Sequence, residues 1–213
     1  MSRTKTMRAI EIVFDVLYLG TVAVLGGILL TSAQSIAALL FGGMALVLLL
    51  GDACHLVPRV LSAAAGSEEP YRFSLGFGKL AASITMTFFY VLLWHVGLLM
   101  FPSVSSGWTT GVYLLAAVRV ALVLVPQNRW TGASPKAWAV YRNVPFVFLG
   151  LLVGALFFLN RSAYGGFACM WLAILLSFLF YLPVALGASK YPALGMLMLP
   201  KSGVYVWMLA MVL

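Results

Sequence analysis

The chain has 213 residues, of which 63% are hydrophobic and only 8% are charged, and its formal net charge is +8. A soluble domain normally has about a quarter of its residues charged, so this composition excludes an ordinary soluble fold. The basic residues are spread between apolar runs and form no basic patch of the kind that binds nucleic acid. We therefore predict an integral membrane protein with membrane lipids, and no nucleic acid, among its partners.

Seven apolar runs in the chain are of the length that crosses a bilayer as a helix, about 20 residues. The first run holds Glu11 and Asp15 and has no small-residue cleavage site, so we interpret it as a retained helix and not as a secretory signal. Cys54 and Cys169 are predicted to lie near opposite membrane faces as small core residues, too far apart for a disulfide. The predicted fold is all-α: a single transmembrane domain, 1–213, built as a bundle of about seven helices at 9–30, 35–56, 74–101, 109–125, 143–160, 167–187 and 192–213.

Lysine and arginine are concentrated on one side of this predicted bundle. Only Arg161 falls in the connections of the opposite side. Because positively charged connections stay in the cytoplasm, we predict a multi-pass protein of the cell membrane with its N-terminus cytoplasmic and its C-terminus outside. Helices one to three and five to seven then run in the same direction, which leaves a 3+1+3 repeat open. The nine basic residues of the cytoplasmic side are Arg3, Lys5, Arg8, Arg59, Arg72, Arg129, Lys136, Arg142 and Lys190.

Charged residues within the predicted helices gather toward the cytoplasmic side. From the helical rise per residue, we expect all of them within about 13 Å of the helix ends on that side. A single charge in the apolar core costs roughly 2.5–3.5 kcal/mol, so acids and bases are expected to meet across helices around polar space. The six residues are Glu11, Asp15, Asp52, Lys79, Arg119 and Lys201.

Asp52 and His55 are the most chemically suggestive pair in this layer. Three residues apart on a helix, a carboxylate and an imidazole can cooperate in proton transfer, so we predict them as the catalytic pair of an enzyme. The only other histidine, His95, lies toward the outer face, so the sequence predicts no metal site and no cofactor. Because bases exceed acids near the inner leaflet, the expected ligand is a small anionic molecule or a lipid head group. The predicted binding residues are Asp15, Lys79, Ser83, Arg119, Lys201 and Tyr205.

The motif Gly51-Asp52-Ala53, followed by Pro58, Gly76 and Gly78, resembles the lysoplasmalogenase-like (YhhN) membrane family. The resemblance covers about a quarter of the chain. It implies hydrolysis of a lipid vinyl-ether head group near the cytoplasmic leaflet, with Asp52 as the acid or base. The family also carries a histidine in its third helix and a second, later aspartate. Here Met86 or Thr87 stands where the histidine is expected, and no aspartate follows residue 52.

Two other classes of protein stay open. A transporter of a small solute, or a proton-coupled carrier, would let Asp15, Asp52 and Lys201 titrate or exchange partners and would use Pro200 as a helix break at the site. It also needs a path that continues outward past His95 and the loop 103–106. A non-catalytic protein, in which the charges only lock the helices together, needs every charge paired and no space beside it.

Overall fold

The computed structural model describes residues 5–101, 104–132, 134–163, 165–188 and 190–213, with side chains from residue 9 onward apart from residue 192. Within these residues the protein is all-α, and seven helices are long and apolar enough to cross a membrane, as the sequence predicts. The helices are α1 (Lys5–Thr31), α2 (Ile36–Ala65), α3 (Arg72–Met100), α4 (Ser106–Leu124), α5 (Lys136–Leu159), α6 (Met170–Gly187) and α7 (Met198–Ala210). The last of these reaches the length of a membrane span only together with the preceding residues from Ala193.

Two helices extend well beyond the predicted apolar runs. The second was predicted to end at 56 but continues through Pro58 to Ala65, where Gly66 ends it with a positive φ of 74°. The fifth was predicted to begin at 143 and begins at Lys136. Hydropathy marks the length of chain that suits the bilayer core, whereas a helix continues until a residue breaks it. Depths measured from predicted helix ends were therefore too small for Asp52.

The last predicted helix, 192–213, is not one continuous α-helix. Residues Pro192–Leu197 form a 3-10 helix, and α7 begins only at Met198. Pro200 is the third residue of α7. The first backbone N–H groups of an α-helix have no acceptor within the helix, so proline, which lacks this group, causes no loss of a hydrogen bond there. The chain thus changes helix type immediately before Lys201.

Consecutive helices are joined by short connections and run antiparallel, so one end of the bundle carries the connections 66–71 and 125–135. Arg72, Arg129, Lys136 and Lys190 are exposed there, and we call this end the basic end. The predicted basic N-terminus, with Arg3, begins at residues that lie outside the described part of the chain.

Helices α2 and α3 approach so closely that their backbones are nearly in contact. A Cβ atom on Gly78 would lie 2.2 Å from the carbonyl oxygen of Cys54 and 2.6 Å from the Cα atom of His55. A Cβ atom on Gly51 would lie 1.8 Å from the Thr85 hydroxyl. Small residues permit such packing between apolar helices. The close contacts at Gly51 and Gly78 therefore fix where Asp52 and His55 lie against α3.

The half of the bundle away from the basic end is filled with apolar side chains. Phe41, Leu93, Trp94 and Leu149 have no exposed surface, and Phe157 has almost none. Voids are few in an interior packed in this way. Among the described side chains, the buried charged groups lie in the other half.

Both cysteines are free and exposed, so the prediction that they lie in the core is wrong. Gly51, Asp52 and His55 take the inward faces of α2, and Cys54 consequently points away from the bundle. Cys169 directly precedes the first residue of α6.

Candidate functional site

Glu11 and Asp15 of α1 form an ion-pair cluster with Arg59 of α2. Arg59 Nη2 lies 3.8 Å from Glu11 Oε2, and Arg59 Nε lies 3.6 Å from Asp15 Oδ2. Both carboxylates are buried, whereas the Arg59 side chain keeps 18% of its surface exposed. A paired charge is far less costly to bury than a single one. The structure therefore places Asp15 in a contact that joins α1 to α2.

Asp52 is oriented by a tyrosine of the neighbouring helix. The Tyr18 hydroxyl donates a hydrogen bond of 2.5 Å to Asp52 Oδ2, and the Tyr18 ring is buried and stacked on Phe14. Asp52 itself is half-buried and interacts electrostatically with Lys201. A hydrogen bond to a carboxylate is stronger than one between neutral groups. The position of this carboxylate is thus fixed by groups from α1 and α7.

Lys201 directs its ammonium group at two aromatic rings. The Nζ atom lies 4.9 Å from the centroid of Tyr205 and 5.3 Å from that of Tyr181, within the range of cation–π attraction. Among the described side chains, no carboxylate lies within 4.0 Å of this ammonium. The rings and the more distant Asp52 together compensate its charge.

His55 stands one helical turn from Asp52 in strongly positive surroundings. Arg59, Lys79 and Lys201 all act on its ring electrostatically. The residue is half-buried, and its Nδ1 atom has neither exposed surface nor a hydrogen-bond partner among the described groups. Three cations, each on a different helix, thus act on one imidazole ring.

Exposure decreases stepwise along one face of α3. Lys79 is exposed, Ser83 is half-buried, and Thr87 and Tyr90 are buried at 1% and 0%. The spacings of four, four and three residues put all four on one helical face. Since the side chains of Thr87 and Tyr90 point into the bundle, the Lys79 side chain points in the same direction. The interior is therefore open near the basic end and closed at Tyr90.

The same gradient occurs on α2 and α7. Asp52 is half-buried, but Leu48, one turn farther from the basic end, is 1% exposed. Lys201 is half-buried, whereas Tyr205 is 2% exposed. On three helices, exposure thus falls with distance from the basic end, and we call the polar region that these residues form the vestibule. Its wall consists of Asp52, His55, Lys79, Ser83 and Lys201, and its floor consists of Tyr18, Thr87, Tyr90 and Tyr205.

The floor is closed by hydrogen-bonded hydroxyl groups and by the apolar packing behind them. The hydroxyls of Tyr90 and Ser177 lie 2.7 Å apart, and the Tyr205 ring packs edge-on against Phe89. His95, in the opposite half, contacts the Val91 carbonyl at 2.7 Å through Nδ1 and Tyr113 at 2.8 Å through Nε2. Its ring nitrogens are therefore used locally, and the vestibule does not continue to it.

Arg119 belongs to a separate cluster on the far side of Tyr181. It is 1% exposed and donates to the Arg142 carbonyl and, at 3.1 Å, to Asn143 Oδ1. Tyr181 donates to the same Asn143 oxygen at 2.8 Å. The guanidinium also lies 4.8 Å from the centroid of the Phe146 ring. Arg119 is thus held by neutral groups and does not reach the vestibule wall.

Sequence reasoning missed Asn143 and Asn128. Asn128 has no exposed surface, and its Nδ2 atom donates to three carbonyls at the end of α4, at 2.7, 3.0 and 2.9 Å. Its Oδ1 atom accepts from Arg142, which lies 4.4 Å above the Trp130 ring. Asn128 ends the 3-10 turn that follows α4, and Asn143 is the eighth residue of α5, although the sequence suggested only a loop boundary at each. An uncharged amide beside an apolar run was the one available signal.

Six of the eight predicted site residues come together around the vestibule, and the other two do not. Asp15 is in the ion-pair cluster with Arg59, and Arg119 is behind Tyr181. The Ser83 hydroxyl donates to the Lys79 carbonyl at 2.8 Å, within its own helix. The described residues contain no group of three or more His, Cys, Asp or Glu that could hold a metal ion.

Comparisons of the chain with protein-family models, with curated proteins and with solved structures found no match. The resemblance of Gly51-Asp52-Ala53 to lysoplasmalogenase-like proteins therefore stays a prediction.

Proposed function

We propose that the protein is a multi-pass protein of the cell membrane, with its basic end and N-terminus in the cytoplasm and its C-terminus outside. Large apolar side chains on the outside of the bundle support insertion: Leu17, Leu50 and Phe73 are 64%, 65% and 74% exposed. In water, an apolar surface of this extent would drive aggregation. The exposed lysines and arginines of the basic end support the orientation.

The vestibule binds an anionic group, and its position suits the head group of a membrane lipid. The observation that carries this proposal is the vestibule wall, which contains two cations, Lys79 and Lys201, and one acid, Asp52. Arg59 and the two acids of α1 pair with one another and add nothing to this positive excess. A site with this excess of positive charge, open at the level of an anionic leaflet, favours phosphate over a neutral solute.

The chemistry that the wall supports is hydrolysis with proton transfer by Asp52 and His55. Both side chains are half-buried at the vestibule wall, one helical turn apart. For a vinyl ether, one member of the pair gives a proton to the outer carbon of the double bond, and the other removes a proton from the water that adds to the oxygen-bearing carbon; the resulting hemiacetal then releases the alcohol and an aldehyde. The charges of Lys79 and Lys201 hold the anionic head group of the substrate beside this pair. The resemblance to lysoplasmalogenase-like proteins makes a vinyl-ether lipid the first substrate to assay.

The test of this proposal is lipid retention and turnover by the protein purified into nanodiscs. We expect Lys79→Gln to reduce the co-purified anionic lipid measured by native mass spectrometry. The matched control is Lys136→Gln, which removes an exposed lysine of the basic end outside the vestibule. Asp52→Asn is expected to abolish turnover of the lipid that is retained while the folded fraction stays unchanged. Equal lipid loss in both lysine variants would contradict a specific site.

A small-solute or proton-coupled carrier is the second candidate, and one observation favours it. The 3-10 helix Pro192–Leu197 gives way to α7 three residues before Lys201, and helices that change type at a polar site are typical of carriers. The packed half beyond Tyr90 would then have to open in a second conformation. Flux into proteoliposomes separates the two candidates, since an enzyme of this kind passes no solute.

A further inference from the structure

The surroundings of the Lys201 ammonium resemble a receptor for a cation. Two tyrosine rings, from α6 and α7, face the Nζ atom at 5.3 and 4.9 Å. Asp52 of α2 supplies the negative charge, and Tyr18 holds that carboxylate in place. Aromatic faces with a nearby carboxylate are the arrangement by which proteins bind ammonium groups. A lysine that only locked helices together would be expected to contact its acid directly, as Arg59 does.

The backbone around Lys201 suits a side chain that can move its ammonium group away from the two tyrosine rings. It is the fourth residue of α7, directly after the 3-10 helix, whose hydrogen bonds have poorer geometry than those of an α-helix. The residue is half-buried and lies on the vestibule wall, so its long side chain can turn into the opening. A neutral ligand in its place would leave Asp52 without a counter-charge, whereas an ammonium would preserve the charge balance.

We propose that Tyr181, Tyr205 and Asp52 form a cage for a primary ammonium group, in which Lys201 is the chain's own occupant and which an amine-bearing ligand enters by displacing it. The cage does not depend on proton transfer by Asp52 and His55. Its ligand class is a small primary alkylammonium, either free or as part of a larger molecule.

Chemical rescue of Lys201→Ala tests the cage. This substitution removes three methylene groups and the ammonium, which n-propylammonium replaces atom for atom. We expect the variant to have a lowered unfolding midpoint, and propylammonium chloride to restore most of the loss in a saturable manner. Sodium chloride at equal ionic strength and propan-1-ol are expected to restore little, because neither supplies an alkylammonium. The matched control is Lys79→Ala, an exposed lysine with no ring contact among the described residues, and propylammonium should raise its midpoint far less, because Lys201 still occupies the cage.

Rescue by propan-1-ol to the same extent, or equal rescue of Lys79→Ala, would overturn the proposal, since it would show cavity filling or a general salt effect. Absence of any rescue would overturn it as well. If Lys201→Ala does not fold, carbon-13 NMR of the wild-type chain, labelled at the ε-carbon of lysine, tests the cage instead. The Lys201 signal is identified as the one that disappears in Lys201→Arg. We expect that signal to be shifted upfield by the two rings and to move toward the position of free lysine as propylammonium is added. A signal that is unshifted, or that does not respond, refutes the cage.

Discussion

Replacing Gly78 with alanine should separate α2 from α3 and displace His55. The new Cβ would lie 2.2 Å from one backbone atom and 2.6 Å from another, and backbone atoms cannot rotate away as a side chain can. Overpacking of this kind typically destabilises by about 1–3 kcal/mol. Alanine gains up to about 1 kcal/mol over glycine within a helix, which offsets part of the loss. Because both contacts are with backbone atoms, we take the upper end of that range, about 3 kcal/mol, and expect a net loss of about 2 kcal/mol in the free energy of unfolding.

The matched control is Gly43→Ala in α2, because no atom lies within 4 Å of a Cβ built at Gly43. This variant should equal the wild type or exceed it by up to about 1 kcal/mol. Gly51→Ala should lie between the two, since rotation of the Thr85 side chain removes the 1.8 Å contact with its hydroxyl but leaves its Cβ atom at 2.7 Å.

Unfolding of the purified variants in mixed micelles, followed by tryptophan fluorescence and circular dichroism, measures these differences. Equal stability of Gly78→Ala and Gly43→Ala would refute the close contact between the two helices. If both variants lost the same amount of stability, the effect would come from the replacement of glycine itself.

Three further substitutions test other contacts. Arg59→Gln should destabilise by roughly 3 kcal/mol, because it removes the ion-pair partner of the buried Asp15 carboxylate, and Asp15→Asn in the same chain should recover most of that loss in denaturant unfolding. Asn128→Ala should lower the free energy of unfolding by about 1–3 kcal/mol, because it removes three hydrogen bonds to carbonyls, and it should speed amide hydrogen exchange at the end of α4. Asn160→Ala removes a single partly buried hydrogen bond and should lower the free energy of unfolding by less. Tyr18→Phe removes the hydroxyl that orients Asp52 and should destabilise by about 1–2 kcal/mol; an unchanged unfolding midpoint would show that this bond is not formed.

The helices were predictable because the apolar runs are long and are interrupted by few charges. Their ends were less predictable, since α2 and α5 continue into polar sequence that hydropathy assigns to loops. The change to a 3-10 helix before Met198 depends on tertiary packing, which no pattern of residue types in Pro192–Leu197 reveals.

The candidate site was predictable in its composition but not in its connections. Charges of one layer had to meet, and Asp52, His55, Lys79 and Lys201 do so. The sequence could not show that Arg59 takes both acids of α1. Which charges pair depends on the rotation of each helix about its axis, and helix rotation is set by packing against neighbours.

The account depends most on a vestibule that opens at the basic end and closes at Tyr90. Single cysteines at Ser83 and Ser177, in a chain with Cys54→Ala and Cys169→Ala, test this directly with a membrane-impermeant thiol reagent in oriented vesicles. We predict that the cysteine at 83 reacts only with reagent on the side of the basic loops, and that the cysteine at 177 reacts from neither side. Reaction at 177 from the opposite side, or protection of 83 from both sides, would contradict the account.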